Sequence, residues 1–378
     1  MSDKHPFPAS LAEGRSFCNR EMERTYLKHQ ILNNEHTVIV APRRYGKTSL
    51  ITQVITESEY PAISIDLLLA TNSSFVNKAI LDNVPSLLLQ FMPKQKQAKQ
   101  KLIDVLHKVH PKLTINILGQ KLELSTTQSE ERSIVEILLS LEHAAKETKK
   151  LAIVIFDEFQ QVGEIKESQA IEAAIRHAVE RSKHITYIFS GSHRHLLSRM
   201  FTDKSRPLYH LCEVMYLERI KHYDYKLFLT KHFFKKWPIK IDELIIDEIL
   251  LLTGCHAFYV NALCRKLWNL STCPTMADVQ NTWDRYVKSQ TPWIIDDLDQ
   301  LSPNQINILA ALAHQPTKEP LSSSFSNKIL SSPSSIRISL NYLLKKDFVY
   351  RDSENYYRVL DPAIESYIKE IKYFDFIE

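Results

Sequence analysis

Between residues 37 and 217, five short apolar runs alternate with stretches of helical periodicity, and this alternation restricts the fold more than any other feature of the chain. The runs are Thr37 to Ala41, Ala62 to Asp66, Leu151 to Asp157, Ile185 to Ser190 and Glu213 to Leu217. Most are apolar throughout and bounded by polar residues, as strands are when a sheet is covered on both faces. Between them Ile134, Ile137, Leu138 and Leu141 recur at helical spacing, and so do Ile171, Ala174, Ile175 and Ala178. Strands connected through helices run parallel, so the expected class is α/β with a parallel sheet.

After residue 217 the strand pattern ends. Asp224 to Trp237, Asp242 to Thr253, His256 to Leu270 and Ala277 to Ser289 read as successive helices. Beyond Leu301 the order becomes helix (Ser302 to Ala313), helix (Phe325 to Leu330), helix (Ser334 to Lys346) and hairpin (Phe348 to Arg351 with Tyr356 to Leu360), the order of a winged helix. Three divisions are therefore expected: a core over 1–217, a helical subdomain over 218–298 and a winged helix over 299–378.

Composition narrows the function classes. The 378 residues include only 6 glycines, against roughly 26 at ordinary usage of about 7%. So sparing a chain is expected to keep glycine for positions where the backbone needs positive φ or close approach. The balance of 48 Lys+Arg against 44 Asp+Glu gives +4, too mild to argue for nucleic acid. Five cysteines without C-x-x-C spacing suggest neither a disulfide framework nor a zinc ribbon, and reduced thiols suit a cytoplasmic protein. No segment reaches the roughly 20 apolar residues of a membrane span. The run Lys94, Lys96, Lys99, Lys101, Lys108 and Lys112 reads as a solvated helix face or a docking patch for acidic partners.

The first strand runs into Ala41-Pro42-Arg43-Arg44-Tyr45-Gly46-Lys47-Thr48-Ser49, followed by a helical stretch with Leu50, Ile51, Val54 and Ile55. This is A-x-x-x-x-G-K-T, one residue from the P-loop pattern and in its strand-loop-helix context. Backbone amides of the turn and helix start would wrap phosphates, and Gly46 would supply the tight turn. Lys47 would place a charge on the β- and γ-phosphates, and the Thr48 hydroxyl would ligate Mg²⁺. Ala41 in place of the first glycine is acceptable if its φ stays negative. The two arginines, Arg43 and Arg44, either pair with carboxylates or a neighbouring subunit, or act on phosphates.

Leu151 to Phe156 ends in Asp157-Glu158, the form of a strand delivering two carboxylates to its C-terminal end. Asp157 would hold Mg²⁺ through water, and Glu158 would orient and deprotonate the attacking water. Ser190, ending the next strand, is a second catalytic candidate that would read the γ-phosphate or the water.

Together these residues resemble the archaeal-type ATPase family, in the STAND branch of AAA+-like P-loop NTPases. Phe17-Cys18-Asn19-Arg20-Glu21-Met22-Glu23 is similar to its F-x-N-R-E-x-E lead-in and Pro42 to Ser49 to its P-R-R-x-G-K-T-S loop; Ile155 to Gln160 is similar to its Walker B strand. Ser190-Gly191-Ser192, Arg206-Pro207-Leu208-Tyr209 and Thr253 to Val260 resemble further family segments. The resemblance implies a five-stranded parallel core, a helical lid and a C-terminal winged helix, with ATP bound between core and lid and slow, switch-like hydrolysis. It also implies that Asn19 and Arg20 lie near the adenine and His256 near the phosphates. The chain departs from the family at Ala41, at His210, and at Cys255 and Ala257 in the lid turn.

Two functions follow as expectations. One is an ATP-hydrolysing molecular switch, needing ATP and Mg²⁺, whose winged helix contacts a partner protein. The other is a DNA-binding regulator or initiator-like loader with structural nucleotide, using Ser334, Ser335, Arg337, Ser339 and Asn341. From Leu301 on, 9 basic residues face 9 acidic ones, which leaves the DNA contact, the partner and the oligomeric state open.

Overall fold

The computed structural model describes residues 5–93, 95–118, 121–126, 129–239 and 241–371. They form two compact units, one comprising Arg20–Glu218 and the other the N-terminal residues to Asn19 together with those from Arg219 onward.

The first unit contains, in chain order, α1 (Glu21–Leu32), β1 (Thr37–Val40), α2 (Lys47–Ser58), β2 (Ala62–Asp66), α3 (Ser73–Phe91), α4 (Lys96–Val109), β3 (Leu113–Leu118), β4 (Lys121–Thr126), α5 (Glu130–Thr148), β5 (Ala152–Asp157), α6 (Gln160–Glu164), α7 (Ser168–Val179), β6 (Ile185–Gly191), α8 (Arg194–Thr202) and β7 (Glu213–Tyr216). The five expected strands form one sheet in the order β2-β5-β6-β1-β7, with every pairing parallel. The central strands β1 and β6 are buried along their whole length, which explains their continuous apolar runs. Stacked rings of Phe156 and Phe189, with Phe159 and Phe201 against them, fill one face under the ends of β5 and β6.

Sequence reading missed the antiparallel hairpin β3–β4, which follows α4. On α4 Leu102 and Leu106 turn inward, while Lys101 and Lys108 are exposed. Both readings of the lysine run, a solvated face and a docking patch, require this exposure. Lys94 lies outside the described residues.

Glu57 fastens α1 to α2. Arg24 Nη2 and Lys28 Nζ each reach its carboxylate at 2.5 Å, and Gln53 Nε2 donates to it at 2.7 Å. Desolvation by itself raises the carboxyl, but these three donors outweigh it and hold it at about 2, against an ordinary 4.5. A depressed folded value means that the stabilisation is complete above about pH 4.5 and is lost as pH falls toward 2. Glu57→Gln should therefore lower the melting temperature at pH 7 and flatten its decline through that acid window; superimposable melting profiles would show that the cluster contributes nothing.

The second unit holds α9 (His222–Lys236), α10 (Glu243–Thr253), α11 (Ala257–Leu267), α12 (Met276–Leu298), α13 (Pro303–His314), α14 (Ser323–Lys328), α15 (Pro333–Lys345), β8 (Val349–Arg351), β9 (Tyr357–Val359) and α16 (Pro362–Glu370). The winged-helix order holds, with Thr317 adding an antiparallel bridge to Tyr357 beside the hairpin. Helix α12 continues through Pro292 to Leu298, beyond the Ser289 end that the sequence suggested. Residues of the 218–298 and 299–371 stretches share one hydrophobic core. Tyr259 Oη donates to Asp361 at 2.6 and 2.7 Å, Trp283 Nε1 donates to Ser366 Oγ at 3.0 Å, and Arg219 donates to the carbonyls of Gly254 and Leu360 at 2.8 and 2.7 Å. The N-terminal stretch joins this core through Phe7, fully buried among Phe228, Phe233 and Trp268.

The expectation about glycine needs correction. Among the described residues Gly14, Gly46 and Gly254 take positive φ, but so do Asn19, Arg20, Asn34, Arg44, Glu59, Lys149, Glu158, His210, Cys255, Leu330, Asp347 and Asn355. Left-handed backbone costs an ordinary side chain roughly 1–2 kcal/mol, which surrounding contacts must offset. Glycine scarcity thus reflects strain carried by other residues, as well as economy in placement.

Candidate functional site

The loop between β1 and α2 emerges at the C-terminal edge of the sheet, where ligands bind in open parallel α/β folds. Gly46 (φ 87) makes the last turn before α2 and stands at its N-cap, where it has no side chain to cap the helix itself. The positive end of α2 therefore begins at the loop, a location that suits an anion. Ala41 is buried and lies outside the positive-φ set, so its methyl group incurs no left-handed strain. Lys47 is buried, and its ammonium donates to the carbonyls of Ala41 at 3.2 Å and Pro42 at 3.1 Å, which holds the charge within the loop. Tyr45 and Ser49 are buried, whereas Arg43 and Arg44 are exposed, the latter with φ 64.

Strand pairing brings the acidic pair beside this loop. The Thr48 hydroxyl lies 3.5 Å from Asp157 Oδ2, and Ser190 Oγ donates to Asp157 Oδ1 at 2.6 Å. Ser190 is fully buried and orients that carboxylate. A hydroxyl and a carboxylate this close are hard oxygen donors suited to Mg²⁺. Among the described residues, no group of three or more His, Cys, Asp or Glu side chains is placed to hold a metal.

Glu158 follows with a left-handed backbone (φ 50). Its Oε2 accepts from Gln160 Nε2 at 2.6 Å, from Ser192 Oγ at 2.8 Å and from the Ser192 amide at 3.3 Å. Desolvation raises the Glu158 carboxyl, but these hydrogen bonds and the Lys47 charge outweigh it and hold the group below its ordinary value. The loop reaches the same cluster, since Arg43 Nε lies 3.4 Å from Ser192 Oγ. The sequence carries no signal that marks Gln160 or Ser192 as site residues beyond the Ser190-Gly191-Ser192 turn itself. A Cβ at Gly191 would stand 1.9 Å from Gln160 Oε1, so a larger residue there would push that side chain aside.

The lead-in residues are placed as follows. Arg20 is buried, donates to the carbonyls of Tyr45 and Glu218 at 2.9 Å each, and pairs with Glu23 at 2.9 Å. It thus braces the backbone of the phosphate loop. Asn19 and His256 belong to the second unit. The buried His256 begins α11, its Nδ1 accepting from the Phe258 amide at 3.3 Å. In the first unit, Arg176 donates to the carbonyls of Pro207 and, at 3.0 Å, Tyr209, and Arg206 pairs with the buried Glu172. His210, with φ 54, follows this fastened segment. Ser339, one of the residues of α15 expected to serve DNA contact, is instead buried and accepts from Asn304 Nδ2 at 2.8 Å.

A parallel five-stranded sheet carrying this loop, with the acidic pair at the end of β5 and β6 lying between β5 and β1, defines the class as a P-loop ATPase fold. The chain belongs to the family of ATPase domains found predominantly in Archaea, whose profile matches residues 17–263. A second profile, for a probable winged helix domain, matches residues 295–370. In structure the chain is similar to a Walker-type ATPase of Pyrococcus abyssi, with a TM-score of 0.68 and 18% identity over 97% of this chain and 100% of the other. It is also similar to the Aeropyrum pernix ORC2 protein, solved in ADPNP–ADP complexes, with a TM-score of 0.57 and 14% identity over 98% and 96% of the two chains. No curated protein sequence matches the chain. No helix among the described residues is long and apolar enough to cross a membrane.

Proposed function

We propose that this protein is an ATP-hydrolysing molecular switch of the STAND type. The observation that carries the reading is the convergence of Lys47, Thr48, Asp157, Glu158 and Ser190 at the C-terminal ends of β1, β5 and β6. ATP is the substrate. The amides of the α2 start and the Lys47 ammonium hold its β- and γ-phosphates. Thr48 and Asp157 would hold Mg²⁺, which when bound neutralises charge on the phosphate oxygens. Glu158 takes a proton from water as the water oxygen bonds to the γ-phosphorus. The bond from that phosphorus to the bridging oxygen breaks, and ADP and phosphate leave. The switch reading adds that the winged helix, which shares its core with the preceding helices, signals nucleotide state to a protein partner. A cytoplasmic location fits five cysteines none of which is in a disulfide.

A second reading, the DNA-binding regulator or initiator-like loader, is favoured by one observation. Ser334, Ser335, Arg337, Asn341 and Lys345 are exposed on α15, and Arg351 is exposed in the adjoining hairpin. Turnover of ATP by the purified chain, measured with and without duplex DNA, separates the two. Hydrolysis indifferent to DNA supports the switch. A salt-dependent DNA complex lost in the double variant Arg337→Ala/Lys345→Ala supports the regulator, and failure to bind ATP sinks both.

A further inference from the structure

Glutamate has three side-chain torsions, so a base on such a chain must be fixed before it can meet a water molecule in line with the γ-phosphate. Here all three described hydrogen bonds to the Glu158 carboxylate converge on Oε2, two of them from Ser192 and one from Gln160. None of the described hydrogen bonds reaches Oε1, which leaves that oxygen to take the proton. Ser192 is buried, and its hydroxyl donates to Glu158 while lying within reach of Arg43 Nε. The other donor, Gln160, is 2% exposed and packs against Gly191, where a Cβ would stand 1.9 Å from its Oε1.

We propose that Ser192 is the positioning residue of the ATPase site: through its hydroxyl and amide, and with Gln160 behind it, it fixes Glu158 by one oxygen and presents the other to the attacking water. This rests on the ATPase reading above. Its consequence is a separation of roles along one turn: Ser190 orients the carboxylate of the metal pair, and Ser192, two residues on, orients the base. Arg43 extends the arrangement to the phosphate loop, so the loop and the base share one hydroxyl.

Steady-state ATP hydrolysis by the full chain tests this, with the affinity for a non-hydrolysable ATP analogue and the melting curve recorded for each variant. Ser192→Ala should lower kcat about tenfold or more while KM and analogue affinity stay within about twofold, and Ser192→Thr, which keeps a hydroxyl, should recover most of the rate. Gly191→Ala reaches the same clamp from the other side by displacing Gln160, and should likewise lower kcat with little change in KM. An unchanged or raised kcat in a cooperatively melting Ser192→Ala protein overturns the proposal and leaves the ATPase reading standing. So does a parallel loss of kcat and analogue affinity, which would make Ser192 a structural residue only. A wild-type chain that turns over no ATP overturns both.

Discussion

Lys47→Ala is expected to abolish ATP binding at concentrations that saturate the wild type. The lysine is buried and its ammonium is held on two loop carbonyls, so it brings a localised positive charge to where the phosphates must sit. Truncating one partner of a desolvated charge pair costs about 2–5 kcal/mol, and each 1.4 kcal/mol is tenfold, so affinity should fall at least about 30-fold. Removing the side chain also removes its bonds to the Ala41 and Pro42 carbonyls, at about 1 kcal/mol each, so the variant should melt somewhat lower but still cooperatively. Calorimetric titration with ATP·Mg²⁺ checks the expectation. Wild-type affinity in a folded variant would remove the loop from the site.

Glu158→Gln is expected to keep ATP binding and lose turnover. The amide is nearly isosteric, and its oxygen can still accept from Gln160 and Ser192, so the local hydrogen bonds survive. What disappears is the capacity to take a proton, and general-base assistance is worth about 10²- to 10⁴-fold. Single-turnover hydrolysis should slow by that factor, while ATP still raises the melting temperature as it does in the wild type. Equal rates in the two proteins would place the base elsewhere. The pair of variants thus separates binding from chemistry, which Lys47→Ala alone cannot do.

Much of this site was legible because its parts are local. The loop Pro42 to Ser49 is contiguous, and its neighbours announce themselves as a strand before and a helix after. Asp157 and Glu158 stand where an apolar run ends, a boundary that any buried parallel strand must show. The hairpin β3–β4 was not legible, since it lies in the long segment between the second and third expected strands. Ser339 was misplaced for a related reason. Helical spacing alone does not distinguish the face of α15 that meets Asn304 of α13 from the face that meets solvent.

The sequence alone determined the parallel α/β core, the phosphate loop, the carboxylate pair and the winged-helix order. Each is written in periodicity or in neighbouring residues, and short-range sterics and burial enforce it. Tertiary structure decided how these parts are held. Arg20 braces Tyr45 across 25 positions and Glu218 across 198, while Ser192 reaches Glu158 across 34. Tyr259 and Asp361, 102 positions apart, fasten residues of two expected divisions into one core. Such bonds depend on which buried donors and acceptors meet once the chain has closed, and no local pattern encodes the meeting. The backbone follows the same rule: Glu158 and Cys255 take left-handed conformations that glycine adopts more cheaply, because contacts made elsewhere in the fold compensate the strain.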